Sequence, residues 1–414
     1  MIRKRLLLIC YYFPPLGLAG VGRPLGLFKK LPDYGYDCDI LTVKNVAYRG
    51  YEPELLEGLD QSKIHRAGSY DPQRLMYLMG MRTVPQATIS KGKPLSDRFF
   101  PDSKSGWVKP AVRLGRRMIK KHNYDALLST SPPVSAHLVG MKLAAESGLP
   151  WIADFRDFWT MYKVEESFAT EQFIKRGNSL LDDIRMKSAN MTAVNQAVID
   201  YIGSGDLIRN GYDSDRAKLW RKPSDLSSFN IGIIGNLNQE RVIAPLLSLL
   251  SQLREQDVDI FERVRLIQVG QVDTVWLENL LASHGMSDRC SSHGFQPRDR
   301  TIELLSECSL FYLGLTADRE QGILPQRMID LSASGRPTLA YASQTSEVAK
   351  FIEKTGIGFS YNDSTLKQAC DWLRDYANSL AVAKFVIEPR PDSATPYSSA
   401  VMAEKIAQIL DRIT

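Results

Sequence analysis

Short runs of apolar residues alternate with helix-length amphipathic segments along nearly the whole chain. Residues 6–12, 38–43, 126–130, 151–154 and 191–194 read as buried strands of a first half, and 231–235, 264–269, 309–313 and 338–341 as strands of a second. Between them, 134–147, 245–255 and 326–334 carry apolar positions at helical spacing. Strands separated by helices predict βαβ units and parallel sheets with helices on both faces. The pattern restarts after 206–215, where Asn210-Gly211 is the strongest turn dipeptide, so the sequence predicts domains at 1–205 and 206–395. In the last segment, 396–414, Val401, Ile406, Ile409, Leu410 and Ile413 predict a terminal helix with one buried face.

Length agrees with two domains, because 414 residues exceed what one hydrophobic core ordinarily organises. The five cysteines, Cys10, Cys38, Cys290, Cys308 and Cys370, are scattered without a C-x-x-C pair, which argues against a disulfide framework or zinc site and fits a reducing cytoplasm. The basic, then apolar start imitates an export signal, but Pro14 and Pro15 break the run and it reads as a first strand. No apolar run approaches the ~18 residues of a membrane span.

Residues 13–24, FPPLGLAGVGRP, place Gly17, Gly20 and Gly22 between the first predicted strand and a helix predicted at 24–31. Ligands of open parallel sheets bind beyond the carboxyl ends of the strands, and a glycine-rich turn ahead of a helix lets N–H groups approach a phosphate. The spacing is G-x-x-G-x-G, however, and the second strand ends in Thr42-Val43-Lys44 with no acid for a ribose, so a dinucleotide site does not fit. By itself the loop is either a phosphate cradle or a tight connection.

The loop does not stand alone, and YYFPPLGLAGVGRPLGLFKKLPDYGYDCDILTV (11–43) resembles the N-terminal signature of family 4 glycosyltransferases. STSPPVSAHLVGMKLAAESGLPWIADFRDFW (129–159), RNGYD (209–213), GNLNQER (235–241) and LPQRMIDLSASGRPTLAY (324–341) match further stretches, in order over most of the chain. The resemblance implies the α/β GT-B fold: two facing Rossmann-like domains with a cleft between them, acceptor side first and nucleotide-sugar side second.

Sugar transfer from a nucleoside diphosphate needs fixed cations and N–H donors on the leaving diphosphate. The resemblance implies Gly20, Gly22 and Arg23 on the donor side of the loop, and Arg241, six residues after Gly235, on the diphosphate. Val242 stands where the family often has a lysine, and Arg327 is the candidate second cation. Of the family's Glu-x7-Glu, Asp330 takes the second, ribose-binding place and Gly322 the first, while backbone N–H groups up to Leu324 face the phosphates. His137 falls where the resemblance puts an active-site histidine and is either catalytic or a core histidine. Asp157 either orients the acceptor hydroxyl or joins Asp154 and Arg156 in a structural ion network. No general base stands out, and retaining members of the family use the leaving phosphate to take the acceptor proton. The lack of an Asp-x-Asp motif in a plausible loop predicts no metal, and no cofactor is expected beside the nucleotide-sugar substrate.

Net charge is +5, yet residues 66–122 hold 13 Lys and Arg against three Asp and no Glu, a local +10. Leu75, Met76, Met79, Phe99, Phe100 and Trp107 are interleaved with these cations, which suits the anionic inner face of the cytoplasmic membrane; the alternative is a solvated face. Nucleic acid is not expected, since no binding motif accompanies the charge. The sequence thus predicts a cytoplasmic, membrane-peripheral, retaining glycosyltransferase that moves a hexose from a nucleotide-sugar to a lipid-linked glycan acceptor in bacterial surface polysaccharide or lipopolysaccharide synthesis. A nucleotide-sugar 2-epimerase of the same fold and a non-catalytic nucleotide-sugar-binding protein stay open.

Overall fold

The computed structural model describes residues 3–17, 19–48, 50–84, 100–159, 170–237, 239–315, 324–382 and 394–414. The chain forms two compact units, Met1–Gly211 with Ser399–Thr414, and Tyr212–Ser398. In the first, β1 (Lys4–Ile9), β2 (Tyr36–Val43), β3 (Ile64–Ala67), β4 (Ala126–Ser131), β5 (Trp151–Phe155), β6 (Asn190–Ala193) and β7 (Asp206–Leu207) form a parallel sheet in the order β3-β2-β1-β4-β5-β6-β7. Leu6, Leu7, Leu8 and Ile9 are fully buried because β1 is central and helices cover both faces, which is why this strand reads as an unbroken apolar run. In register, Leu6 lies between Cys38 and Ala126. The strand order reverses between β1 and β4, so a crevice opens there at the carboxyl ends.

The second unit repeats the pattern with β8 (Phe229–Ile234), β9 (Val264–Val269), β10 (Cys290–Ser292), β11 (Leu310–Gly314), β12 (Thr338–Tyr341) and β13 (Gly358–Tyr361), parallel in the order β10-β9-β8-β11-β12-β13. Each unit is Rossmann-like, the α/β class expected. The short outer strands β3, β7, β10 and β13 escape the periodicity: sequences such as IHRA, CSS and GFSY bury too few side chains to make an apolar run.

Three local differences from expectation have clear causes. The division falls after Gly211 and not near 205, because Asp206–Leu207 pair with β6 as a last strand of the first sheet. The helix Ser399–Ile413 belongs to the first unit: Met402, Ile406 and Leu410 enter that core, and Met402 and Ser399 sit over Gly26 of the helix Ala19–Lys30. Because this N-terminal helix already starts at Ala19, Gly20 and Gly22 are helical and not part of a loop. Pro24 lacks the N–H that would bond Gly20 O one turn back. Arg156 Nη1 donates to Gly20 O instead, at 2.7 Å.

Candidate functional sites

In the second unit the ends of β8, β9 and β10 are tied together. Gly235 N–H donates to Val269 O at 2.8 Å, and Gly270 N–H to Gly294 O at 2.8 Å. The buried Gln268 amide donates to Gly235 O (3.2 Å) and Gly270 O (3.0 Å). Gly270 has φ +142°, and a side chain there would overlap the Gly235 carbonyl, so glycine is required. Arg327 packs against this corner: Nη1 donates to Ile234 O at 3.2 Å and lies where a Gly235 side chain would begin.

Arg241 is exposed in the first turn of the helix Glu240–Gln256, its Nε donating to Gln239 Oε1 at 2.8 Å. That turn is seated by Val242, whose carbonyl accepts from Tyr312 Oη at 2.9 Å and lies where a Cβ on Gly314 would go. Arg327, bonded to the last residue of β8, and the turn that bears Arg241, seated on Gly314 at the end of β11, thus both lie at the carboxyl ends of neighbouring strands. Leu324 is partly buried against the apolar cluster that includes Met328 and Ile329, and Gly322 lies outside the described residues.

Asp330, on the helix Gln326–Ser332, accepts from Gln326 Nε2 at 2.9 Å. Burial pushes its carboxyl up to about 6, with Gln326, Arg298 and Arg216 pulling down and Asp213 pushing up. Arg216 pairs with Asp299 at 2.7 Å, so Asp330 borders a charged cluster that no spacing rule in the sequence reveals.

The first unit assigns several candidates to structure. Arg23 is buried and grips Asp154 in a fork, Nε to Oδ2 at 2.8 Å and Nη2 to Oδ1 at 2.7 Å. Its Nη1 donates to Ile208 O, Arg209 O and Asn210 Oδ1. Thr130 and Thr192 hydroxyls complete the Asp154 shell at 2.6 Å each. Burial alone would raise the Asp154 carboxyl, but Arg23 and the two hydroxyls hold it below its ordinary value. Arg23 is therefore committed to the core of its own unit and not to a donor phosphate. Gly20 likewise serves packing, with the Tyr12 ring 3.3 Å from where a Cβ would sit, while Gly22 lies partly exposed in the same first turn.

His137 is fully buried. Ser129 Oγ accepts from Trp151 Nε1 at 2.8 Å and lies 2.8 Å from His137 Nδ1, while the ring packs 4.4 Å from that of Phe155. Burial drives its pKa down to about 3, so it is neutral at physiological pH. The ring lies within the first unit's core, its Nε2 without a hydrogen-bond partner among the described residues.

Asp157 follows β5 and lines a cavity of about 210 Å³ at the carboxyl ends of β1, β4 and β5, with Tyr12, Lys104, Ser131, Pro132 and Trp159. Burial raises its carboxyl, against the pull of Arg156. Arg156 itself is spent on backbone, donating to Ser131 O, Pro132 O and Gly20 O. Nothing in the sequence singles out Lys104, which sits in a segment that reads only as part of a diffuse basic region.

Of the aromatics in that basic region, Trp107 is core and Phe100 is partly buried against the same core. Trp107 is fully buried edge-on against Tyr11, and Phe100 packs on Trp159 and Phe173, because the chain folds back over the first sheet there. Phe99 lies outside the described residues.

No family model matches the sequence, and no curated protein does. Solved structures match over the whole chain. A sucrose-phosphate synthase from Thermosynechococcus elongatus superposes with a TM-score of 0.64 at 16% identity, covering 99% of each chain. HepE of Anabaena, in complex with UDP and glucose, gives 0.61 at 16% identity over 99% of this chain and 100% of its own. WaaG, described as a glycosyltransferase involved in lipopolysaccharide biosynthesis, gives 0.57 at 13% identity over 98% and 99%. At these identities the likeness is one of fold, two Rossmann-like units in one chain.

Proposed function

We propose that this chain is a retaining, metal-independent glycosyltransferase that takes its sugar from a nucleotide-sugar held by the Tyr212–Ser398 unit. The observation that carries this reading is the carboxyl ends of β8 and β11, where Arg327 packs on Gly235 and the Arg241-bearing helix turn seats on Gly314. Two guanidiniums and first-turn N–H groups suit a leaving diphosphate, which needs preorganised positive charge as the glycosidic bond breaks. Asp330 supplies a carboxylate for ribose hydroxyls. Whole-chain likeness to HepE, whose structure holds UDP and glucose, supports the same donor class. Proton transfer from the acceptor goes to the departing phosphate oxygen, since the buried His137, its pKa lowered to about 3, is a poor base.

The acceptor is a lipid-linked glycan of a bacterial surface polysaccharide. Among described residues no helix is long and apolar enough to cross a membrane. Around the helix Pro72–Leu78, however, Tyr70, Leu75, Leu78 and Met79 are exposed, and the helix Val108–Lys121 displays Arg113, Arg117, Lys120 and Lys121. Such a surface suits an anionic bilayer. Arg116 contributes less, being paired with Glu146 through bonds of 2.5 and 2.6 Å.

Incubation with UDP-, GDP- and ADP-sugars tests the reading. Slow release of nucleoside diphosphate is expected, and Arg241→Ala should cost about 2–4 kcal/mol of transition-state stabilisation. An isomerised sugar would identify an epimerase instead, and binding without release a non-catalytic protein. Failure to bind any nucleotide-sugar would sink all three.

A further inference from the structure

The cavity at the switch point of the first sheet holds two charged groups, Lys104 and Asp157, that make no side-chain hydrogen bond among the described residues. Lys104 is only 5% exposed, yet its ammonium makes no hydrogen bond or ion pair among the described residues and sits 5.5 Å from the centre of the Tyr11 ring. Asp157, on the same cavity, also has no hydrogen bond among the described residues. The ammonium lies over the Tyr11 ring and keeps donor capacity for a group that enters the cavity. Burial lowers the Lys104 pKa while Asp71 and Asp102 oppose it. Asp102 itself is satisfied, accepting from Ser135 N and Oγ and from Lys104 N at 2.8 Å each.

We propose that this cavity is a subsite for one neutral pyranose ring, its hydroxyls donating to Asp157 and accepting from Lys104, with Tyr12 and Trp159 as apolar walls. Charge selects the class. An anionic ligand would meet Asp157 and the field of Asp102, a cationic one would meet Lys104, and a polyol satisfies both signs at once. The aromatic and proline walls take the C–H face of a ring and disfavour a cluster of water alone. Size selects one ring: about 210 Å³ lies below the ~300–1,000 Å³ of pockets for larger ligands. Trp159 is fixed as a wall by its indole N–H, which donates to Pro101 O at 3.2 Å, and by Phe100, 5.8 Å ring to ring. Naming the ring an acceptor sugar rests on the transferase reading; the binding itself does not.

The test uses the full chain and methyl glycosides of glucose, galactose, mannose and N-acetylglucosamine, followed by saturation-transfer NMR and titration, with UDP, GDP and ADP titrated in the same samples. At least one glycoside should bind, and Lys104→Met and Trp159→Ala should each weaken it about tenfold or more, the worth of one charge-assisted hydrogen bond or one wall. Asp157→Asn keeps shape and should weaken binding equally, which preserves the test where a larger change disturbs folding. UDP affinity should hold in all three variants. No binding by any glycoside, binding indifferent to the substitutions, or methyl glucuronide outcompeting methyl glucoside would each overturn the subsite. Glycoside binding with no binding of UDP, GDP or ADP would instead support the subsite and sink the transferase reading.

Discussion

At the scale of single residues, Arg23 and Asp154 show how a residue suited to a phosphate becomes structural. Both are buried, and each Asp154 oxygen accepts one bond from Arg23 and one from a threonine hydroxyl. Such a pair need not stabilise the fold, but breaking it leaves an uncompensated charge. Arg23→Met should therefore cost about 3–5 kcal/mol in denaturant unfolding while nucleotide affinity stays unchanged. A loss of nucleotide binding at full stability would return Arg23 to the donor site. Asp330 is the opposite case, held at about 6 by burial. The native state keeps that proton from about pH 4, where the unfolded carboxyl loses it, up to about 6. Stability contributed by Asp330 thus falls as pH rises through that window and is level above it. Nucleotide affinity should move the other way, rising through pH 6 as the carboxylate becomes able to accept ribose hydroxyls, by about 1–3 kcal/mol in all. Isothermal titration between pH 5 and 8 checks this, and Asp330→Asn should flatten the profile.

At the scale of elements, the placement of Arg241 depends on how tightly its helix meets the sheet. Gly314 ends β11, and any Cβ there would press on the Val242 carbonyl. Backbone cannot yield as a flexible side chain can, so Gly314→Ala should push the helix Glu240–Gln256 away from the edge. We expect a stability loss of about 1–3 kcal/mol together with weaker nucleotide binding. A variant that loses stability but binds UDP normally would separate the helix position from the site. The same close packing explains why the glycines of residues 13–24 attract attention in the sequence. Gly17 makes room for the Glu52 side chain and Gly20 for Tyr12, packing demands that imitate a phosphate-loop composition.

At the scale of the whole molecule, the excess charge of residues 66–122 is the property with the longest reach. Each cation near an anionic surface contributes about 1 kcal/mol, screened within about 10 Å at 0.1 M salt. The chain should sediment with anionic vesicles at low salt and release near 1 M. Replacing Arg113, Arg117, Lys120 and Lys121 by Gln should abolish pelleting and leave donor hydrolysis intact, whereas equal pelleting with neutral vesicles would show that charge is not the cause.

The alternation of apolar runs and amphipathic segments by itself determined two parallel sheets. A strand buried on both faces must be apolar at every position, and a helix on a sheet must repeat its apolar side with the helical period. Short outer strands lacked that mark. Arg241, Arg327 and Asp330 were visible as candidates through the family resemblance, whose motifs mark these positions. What only the tertiary structure decided concerns groups far apart in the chain. Arg23 meets Asp154 across 131 residues, and that contact turns a loop arginine into a core one. His137 is buried against Phe155 and Trp151. Lys104 and Asp157 share a cavity because β1, β4 and β5 end side by side, and burial and charge pairing depend on which neighbours arrive, a property no local spacing carries.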